Sequence, residues 1–123
     1  MAVFRQTSAA VHERQAVQCA IRLRDMARRL NLPEVSGVRI PLGMGVNTGL
    51  AAIGNVGSKT RSDYTVIGDV VNVAHHLQSI SGPDQIILSG STQRRAGTDV
   101  ECASLGFIRV KRRIERIEAF VID

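Results

Sequence analysis

Asp63-Tyr64-Thr65-Val66-Ile67-Gly68-Asp69-Val70-Val71-Asn72-Val73-Ala74 is the stretch that decides the fold. Its first five residues are rich in the aromatic and β-branched side chains of strands, and its last six fall into helical spacing. A single glycine, Gly68, therefore separates a strand from a helix. Such a corner brings a helix N-terminus and the end of a strand together, with polar residues beside both. Asp69 reads as the helix cap. The helix runs to about Ile80, with Val70, Val73, Ala74, Leu77 and Ile80 on its core stripe and Gly82-Pro83 beyond its end. Asn72 and His76, four apart, share the opposite face.

Upstream, Val38, Ile40, Leu42, Met44 and Val46 alternate with Arg39, Pro41, Gly43 and Gly45. That pattern predicts a strand with one buried face and a second, bare face where glycines admit a close neighbour. Leu50–Ile53 and Asp63–Ile67 read as two further strands, with Gly54–Ser58 as a turn. From about Ser8 to Leu30, Ala16, Ala20, Leu23, Ala27 and Leu30 form one helical stripe under a basic outer face, stopped by Asn31 and Pro33. Met1–Phe4 is an apolar run that starts without a turn signal, as if within a strand. Downstream, Gln85–Ser89 reads as a buried strand, Ser91–Arg95 as a turn of helix, and Leu105–Lys111 with Ile117–Ile122 as a terminal hairpin. The order argues a single α+β domain with helices on one face of a largely antiparallel sheet.

Composition bounds what this domain does. The 123 residues are 44% hydrophobic and 22% charged, ordinary for a folded chain. Sixteen basic against eleven acidic residues give +5, and Lys59 and Lys111 are the only lysines. The arginine clusters Arg22, Arg24, Arg28, Arg29 and Arg109, Arg112, Arg113, Arg116 invite a polyanion, but only 3% of residues are aromatic. No stacking surface for nucleic acid is apparent, and a smaller phosphate ligand suits the field better. Cys19 and Cys102 form no metal-type cluster and read as reduced thiols. There is no P-loop, dinucleotide fingerprint, nucleophile elbow or zinc spacing. No stretch is long and apolar enough for a membrane span or a signal core, so a cytoplasmic protein is expected.

Two segments, GMGVNTGLAAIGNVGS (43–58) and DYTVIGDVVNVAHHLQS (63–79), resemble the class III nucleotidyl cyclases, the adenylate and guanylate cyclases. HERQAVQCAIRLRDM (12–26) is similar to that family's alanine-rich helix, and LGFIRVKRRIERIEAFVID (105–123) to its closing hairpin. The resemblance implies that residues 1–123 are part of a cyclase catalytic domain. The fold implied is a ferredoxin-like antiparallel sheet with helices on one face, lacking the family's first strand and early helices.

It further implies ATP as substrate, a site completed by a second chain in a homodimer or by a complementary cyclase chain, and formation of 3',5'-cyclic AMP with release of pyrophosphate. Thr65 matches the purine-reading position, Asn72 the ribose-positioning one, and Lys111 the lysine that touches the triphosphate, although Arg112 replaces the glycine that follows it. His76 stands where the family has an arginine that stabilises the transition state. An imidazole lacks the fixed guanidinium fork, and losing such a donor costs ~3 to 4 kcal/mol of barrier. Magnesium or manganese is implied for the intact domain, but its aspartate ligands lie upstream of the strand that MAVF resembles, and Asp63 and Asp69 do not match them. The departures leave a second expectation, a degenerate cyclase-like domain serving as a nucleotide-binding, dimerisation or regulatory module.

Overall fold

The structure, a computed structural model, describes residues 1–6, 11–30, 41–58, 61–97, 99–110 and 115–123, with the backbone alone for 55–58 and 61–65. Its elements are α1 (His12–Leu30), β1 (Met44–Val46), β2 (Ala52–Ser58), β3 (Arg61–Ile67), α2 (Asp69–Ser79), β4 (Ile86–Ser89), α3 (Gly90–Ala96), β5 (Ala103–Arg109) and β6 (Arg116–Ile122). Residues 1–6 form no helix or strand, so the strand expected at Met1–Phe4 is absent. Lys111, the stop at Asn31 and Pro33, and the Val38–Ile40 part of the alternating run lie outside the described residues.

The four-residue apolar run Ile86–Ser89 is buried throughout, as a strand covered on both faces must be. It pairs in parallel with β1, Gly45 opposite Ile87, and antiparallel with β6, Ile87 opposite Val121. β5 closes the order β1-β4-β6-β5. A parallel pair needs a crossover, and α2 supplies it between β1 and β4. In β5 a register shift between Ser104 and Gly106 leaves Leu105 as the extra residue, with Gly106 at φ 76.

The α+β class stands, but the helices occupy both faces of the sheet rather than one. Strand alternation shows why. Ile86, Leu88 and Ile122 pack with Val17 and Ala20 of α1 and Ala96 of α3. Ile87, Ala119 and Val121 point the other way, onto Val73 and Leu77 of α2. Each fully buried Leu, Ile or Val in these two layers contributes roughly 1.5–3 kcal/mol.

The buried face of α1 also differs from the expected stripe. Glu13, Val17, Ala20 and Arg24 are buried, whereas Leu23, Met26 and Leu30 are exposed. At ~100° per residue the helix is turned by about a quarter turn. The sequence offers two apolar stripes, and the one containing Val17, Ala20 and Ile21 is the one that meets the sheet. Its two charges find partners at the edge of the contact: Glu13 pairs with His12 at 3.1 Å and with Arg95 of α3 at 3.5 Å, and Arg24 with Asp25 at 3.3 Å.

The β2–β3 hairpin is in register from Ala52–Ile67 to Ser58–Arg61. The stretch Gly54–Ser58 is thus strand rather than turn. Seven cross-strand pairs outweigh the turn propensity of its glycines.

Candidate functional site

The corner read from the sequence is present. Gly68 joins β3 to α2 at φ 153, a conformation essentially reserved for glycine, and a Cβ there would meet the Leu50 carbonyl at 3.3 Å. Gly68 itself is the N-cap, and no side chain caps the helix. Asp69, expected to be the cap, is instead the first helical residue, where its carboxylate faces the positive end of the helix dipole.

α2 is seated on β1 through the bare strand face. A Cβ built on Gly45 would overlap the Ala74 carbonyl oxygen and the Gln78 amide and lie 2.9 Å from Leu77 Cβ. Only a glycine lets the helix backbone lie that close. At Gly43 a Cβ would instead meet the side chain of Ser81, just beyond the helix. The glycine alternation was therefore legible as a docking surface before its partner was known.

With Val73 and Leu77 buried, α2 turns Asn72 outward, exposed, and His76, half-buried, one turn further along the same face. Asp69, Asn72, His76 and Ser79 fall at i, i+3, i+7 and i+10 and form one polar stripe. Thr65 lies in β3 opposite Gly54 in the hairpin register, three residues before Gly68. The fold thus puts Asn72 and His76 on one helix face and Thr65 on the strand that feeds that helix, while Lys111 falls outside the described residues.

Two residues that the sequence reading passed over tie this corner down. Asn47, directly after β1, donates from Nδ2 to the Val70 carbonyl of α2 at 3.1 Å. Thr48 reaches the opposite face, its hydroxyl 2.9 Å from that of Thr92 in α3. Thr92, fully buried, also bonds Ser89 Oγ at 2.9 Å and donates to the Val46 carbonyl at 3.4 Å. The signal was a polar Asn-Thr pair set at the end of an otherwise apolar and glycine alternation.

Cys19 and Cys102 are free thiols. Burial pushes the Cys102 thiol up, and a hydrogen bond with Gln93 partly offsets this. Among the described residues no group of three or more His, Cys, Asp or Glu side chains is placed to hold a metal ion. No helix among them is long and apolar enough to cross a membrane.

The sequence profile described as "Adenylate and Guanylate cyclase catalytic domain" matches residues 1–123, and the chain belongs to this family, the class III nucleotidyl cyclases. The terminal-differentiation-specific adenylate cyclase of Dictyostelium discoideum is 33% identical over 106 residues, 82% of this chain and 5% of that protein. The solved adenylyl cyclase CyaB from P. aeruginosa matches with a TM-score of 0.85 and 33% identity, over 96% of this chain and 63% of that one. The guanylyl cyclase Cya2 matches with a TM-score of 0.84 and 26% identity, over 96% of this chain and 61% of that one. The chain spans less than two thirds of each relative. It is a nucleotidyl cyclase domain, similar to enzymes named for adenylate and for guanylate products. Class III domains use divalent metal ions, and the described residues do not provide a ligand set that fits them.

Proposed function

We propose that the protein containing this chain is an adenylate cyclase that converts ATP to 3',5'-cyclic AMP and pyrophosphate in the cytoplasm. Residues 1–123 form the part of its catalytic domain that holds the purine and the ribose. The single observation that carries the reading is the Gly68 corner, which sets Asn72 and His76 on the exposed side of a helix fed directly by the strand of Thr65.

In this reading the Thr65 hydroxyl pairs with the edge of adenine, which offers an amino donor and ring-nitrogen acceptors. Asn72 fixes the ribose so that its 3'-oxygen faces the α-phosphorus. The new O3'–P bond forms as the bond to the pyrophosphate oxygen breaks, and the hydroxyl proton leaves to solvent. Holding the two reacting atoms in line is the contribution these residues make. Lys111 meets the triphosphate. A second chain, a copy of this one or a complementary cyclase chain, completes the cleft, in keeping with the outward direction of Asn72. Magnesium or manganese would be held by the portion of the full domain that this chain does not span.

A second reading has its own support: His76 occupies the arginine position, and an imidazole does not supply a permanent bidentate charge. In that reading the domain is catalytically degenerate and acts by binding nucleotide or by pairing with a competent chain.

The test is the full-length protein with ATP and magnesium or manganese. Cyclic AMP production that falls on Thr65→Ala and on Asn72→Ala supports the enzyme. Saturable ATP binding without cyclic AMP, even with His76→Arg, supports the degenerate module. Absence of both product and ATP binding refutes the assignment.

A further inference from the structure

We infer that Asn47 is a positioning residue for the nucleotide site, acting through Val70 on the orientation of Asn72. This rests on the proposed role of Asn72. Four observations converge. Asn47 is half-buried at the end of β1, and its Nδ2 donates to the Val70 carbonyl at 3.1 Å, in the first turn of α2 and two residues before Asn72. The acceptor is a carbonyl, so only the amide nitrogen fits there. The next glycine, Gly49, lies against Val70 as well, a Cβ there meeting Val70 Cγ2 at 3.1 Å. Thr48 holds the same segment to α3 through Thr92 from the other face of the sheet.

The N-terminal turn of α2 has no side-chain cap. Its placement therefore depends on contacts from outside the helix, and Asn47 gives that turn a side-chain hydrogen bond from the end of β1. The glycine contacts at Gly45 set how far α2 stands from the sheet. A directional bond to Val70 further constrains sliding and rotation of the first turn. The face lost by such a rotation is the one carrying Asn72 and His76, and displacements of about 1 Å at a reacting centre cost up to ~10²-fold in rate.

Asn47→Asp keeps shape and volume but replaces the donor with an oxygen facing an oxygen. Asn47→His offers a ring N–H of comparable reach. The experiment measures the Kd of a fluorescent ATP analogue, the kinetics of cyclic AMP formation and the thermal midpoint, in the full-length protein. The variants are Asn47→Asp, Asn47→His, Asn72→Ala and the double Asn47→Asp/Asn72→Ala. The expected result is a loss of about tenfold or more in affinity or turnover for Asn47→Asp, partial recovery with Asn47→His, and no further loss when Asn47→Asp is added to Asn72→Ala. A loss that persists undiminished in the Asn72→Ala background, or that merely tracks a lowered thermal midpoint, overturns the inference and makes Asn47 a purely structural residue. If Asn72→Ala alone leaves binding and turnover unchanged, the failure lies in the proposed function, and the inference falls with it.

Discussion

Gly45→Ala offers the sharpest test of how the helix of the candidate site is held. The added methyl group would overlap the Ala74 carbonyl oxygen and the Gln78 amide, both backbone atoms of α2, and lie 2.9 Å from Leu77 Cβ. None of these is the tip of a flexible side chain, so relief requires α2 to withdraw as a body. Ordinary Cβ contacts begin near 3.4 Å, which sets the withdrawal at half an ångström or more from Leu77 alone. That movement thins the packing of Val73 and Leu77 on Ile87 and Val121. Overpacking of this kind costs about 1–3 kcal/mol, and a domain of this size loses ~2–6 °C of midpoint for each kcal/mol. The assay is thermal and urea unfolding of the full-length protein, with Gly54→Ala in parallel, since a Cβ at Gly54 meets nothing within 4 Å. Gly45→Ala is expected to lower the midpoint by several degrees, and Gly54→Ala to leave it unchanged or slightly raised. Equal midpoints for the two variants would refute the idea that close backbone approach at β1 seats the helix.

The other expectations concern the supports around this contact. Asp84 sits at φ 58, and its buried carboxylate accepts from the Leu42 amide at 3.1 Å and faces Arg28 at 3.7 Å. Asp84→Ala should destabilise by about 2–3 kcal/mol in urea unfolding, and Asp84→Asn, which keeps an acceptor and tolerates this backbone, by much less. Thr92→Val strips the shared hydroxyl from Thr48 and Ser89 and should cost about 1–3 kcal/mol, with Thr92→Ser recovering most of it. The raised Cys102 thiol stays protonated in the fold after the unfolded chain has begun to ionise. Its contribution to stability therefore fades as pH climbs through the unfolded thiol value, and alkylation at pH 8.5 should be slower than for free cysteine until denaturant is added.

What the sequence made legible was governed by local rules. The change of period at Gly68, the apolar run at β4 and the glycine face of β1 each reflect a backbone constraint that few residues satisfy, and each appears in the structure, although β1 is confined to Met44–Val46 and Pro41, Leu42 and Gly43 of the expected strand lie outside it. The rest depended on partners far along the chain. Both apolar stripes of α1 satisfy helical spacing, and the choice of Val17 over Leu23 was made by the sheet and by Arg95. Gly54 and Gly57 signal a turn in isolation, yet the opposing strand draws them into its ladder. Helices on both faces follow from the crossover between β1 and β4, a connection that period and propensity do not reveal. The shared face of Asn72 and His76 was readable because one helix carries both. Asn47 was not, because its partner lies 23 positions away.

α2 rests on β1 through close main-chain contact at Gly45 and on the rest of the sheet through Val73 and Leu77, and this divides labour within the helix. The side that meets the sheet admits little change, since Val73 and Leu77 are buried there and Gly45 leaves no room for a side chain. The side bearing Asn72 and His76 carries none of the buried core. Substitutions at 72 and 76 are accordingly cheap for the scaffold, and a lineage can drift there without first acquiring compensating stability.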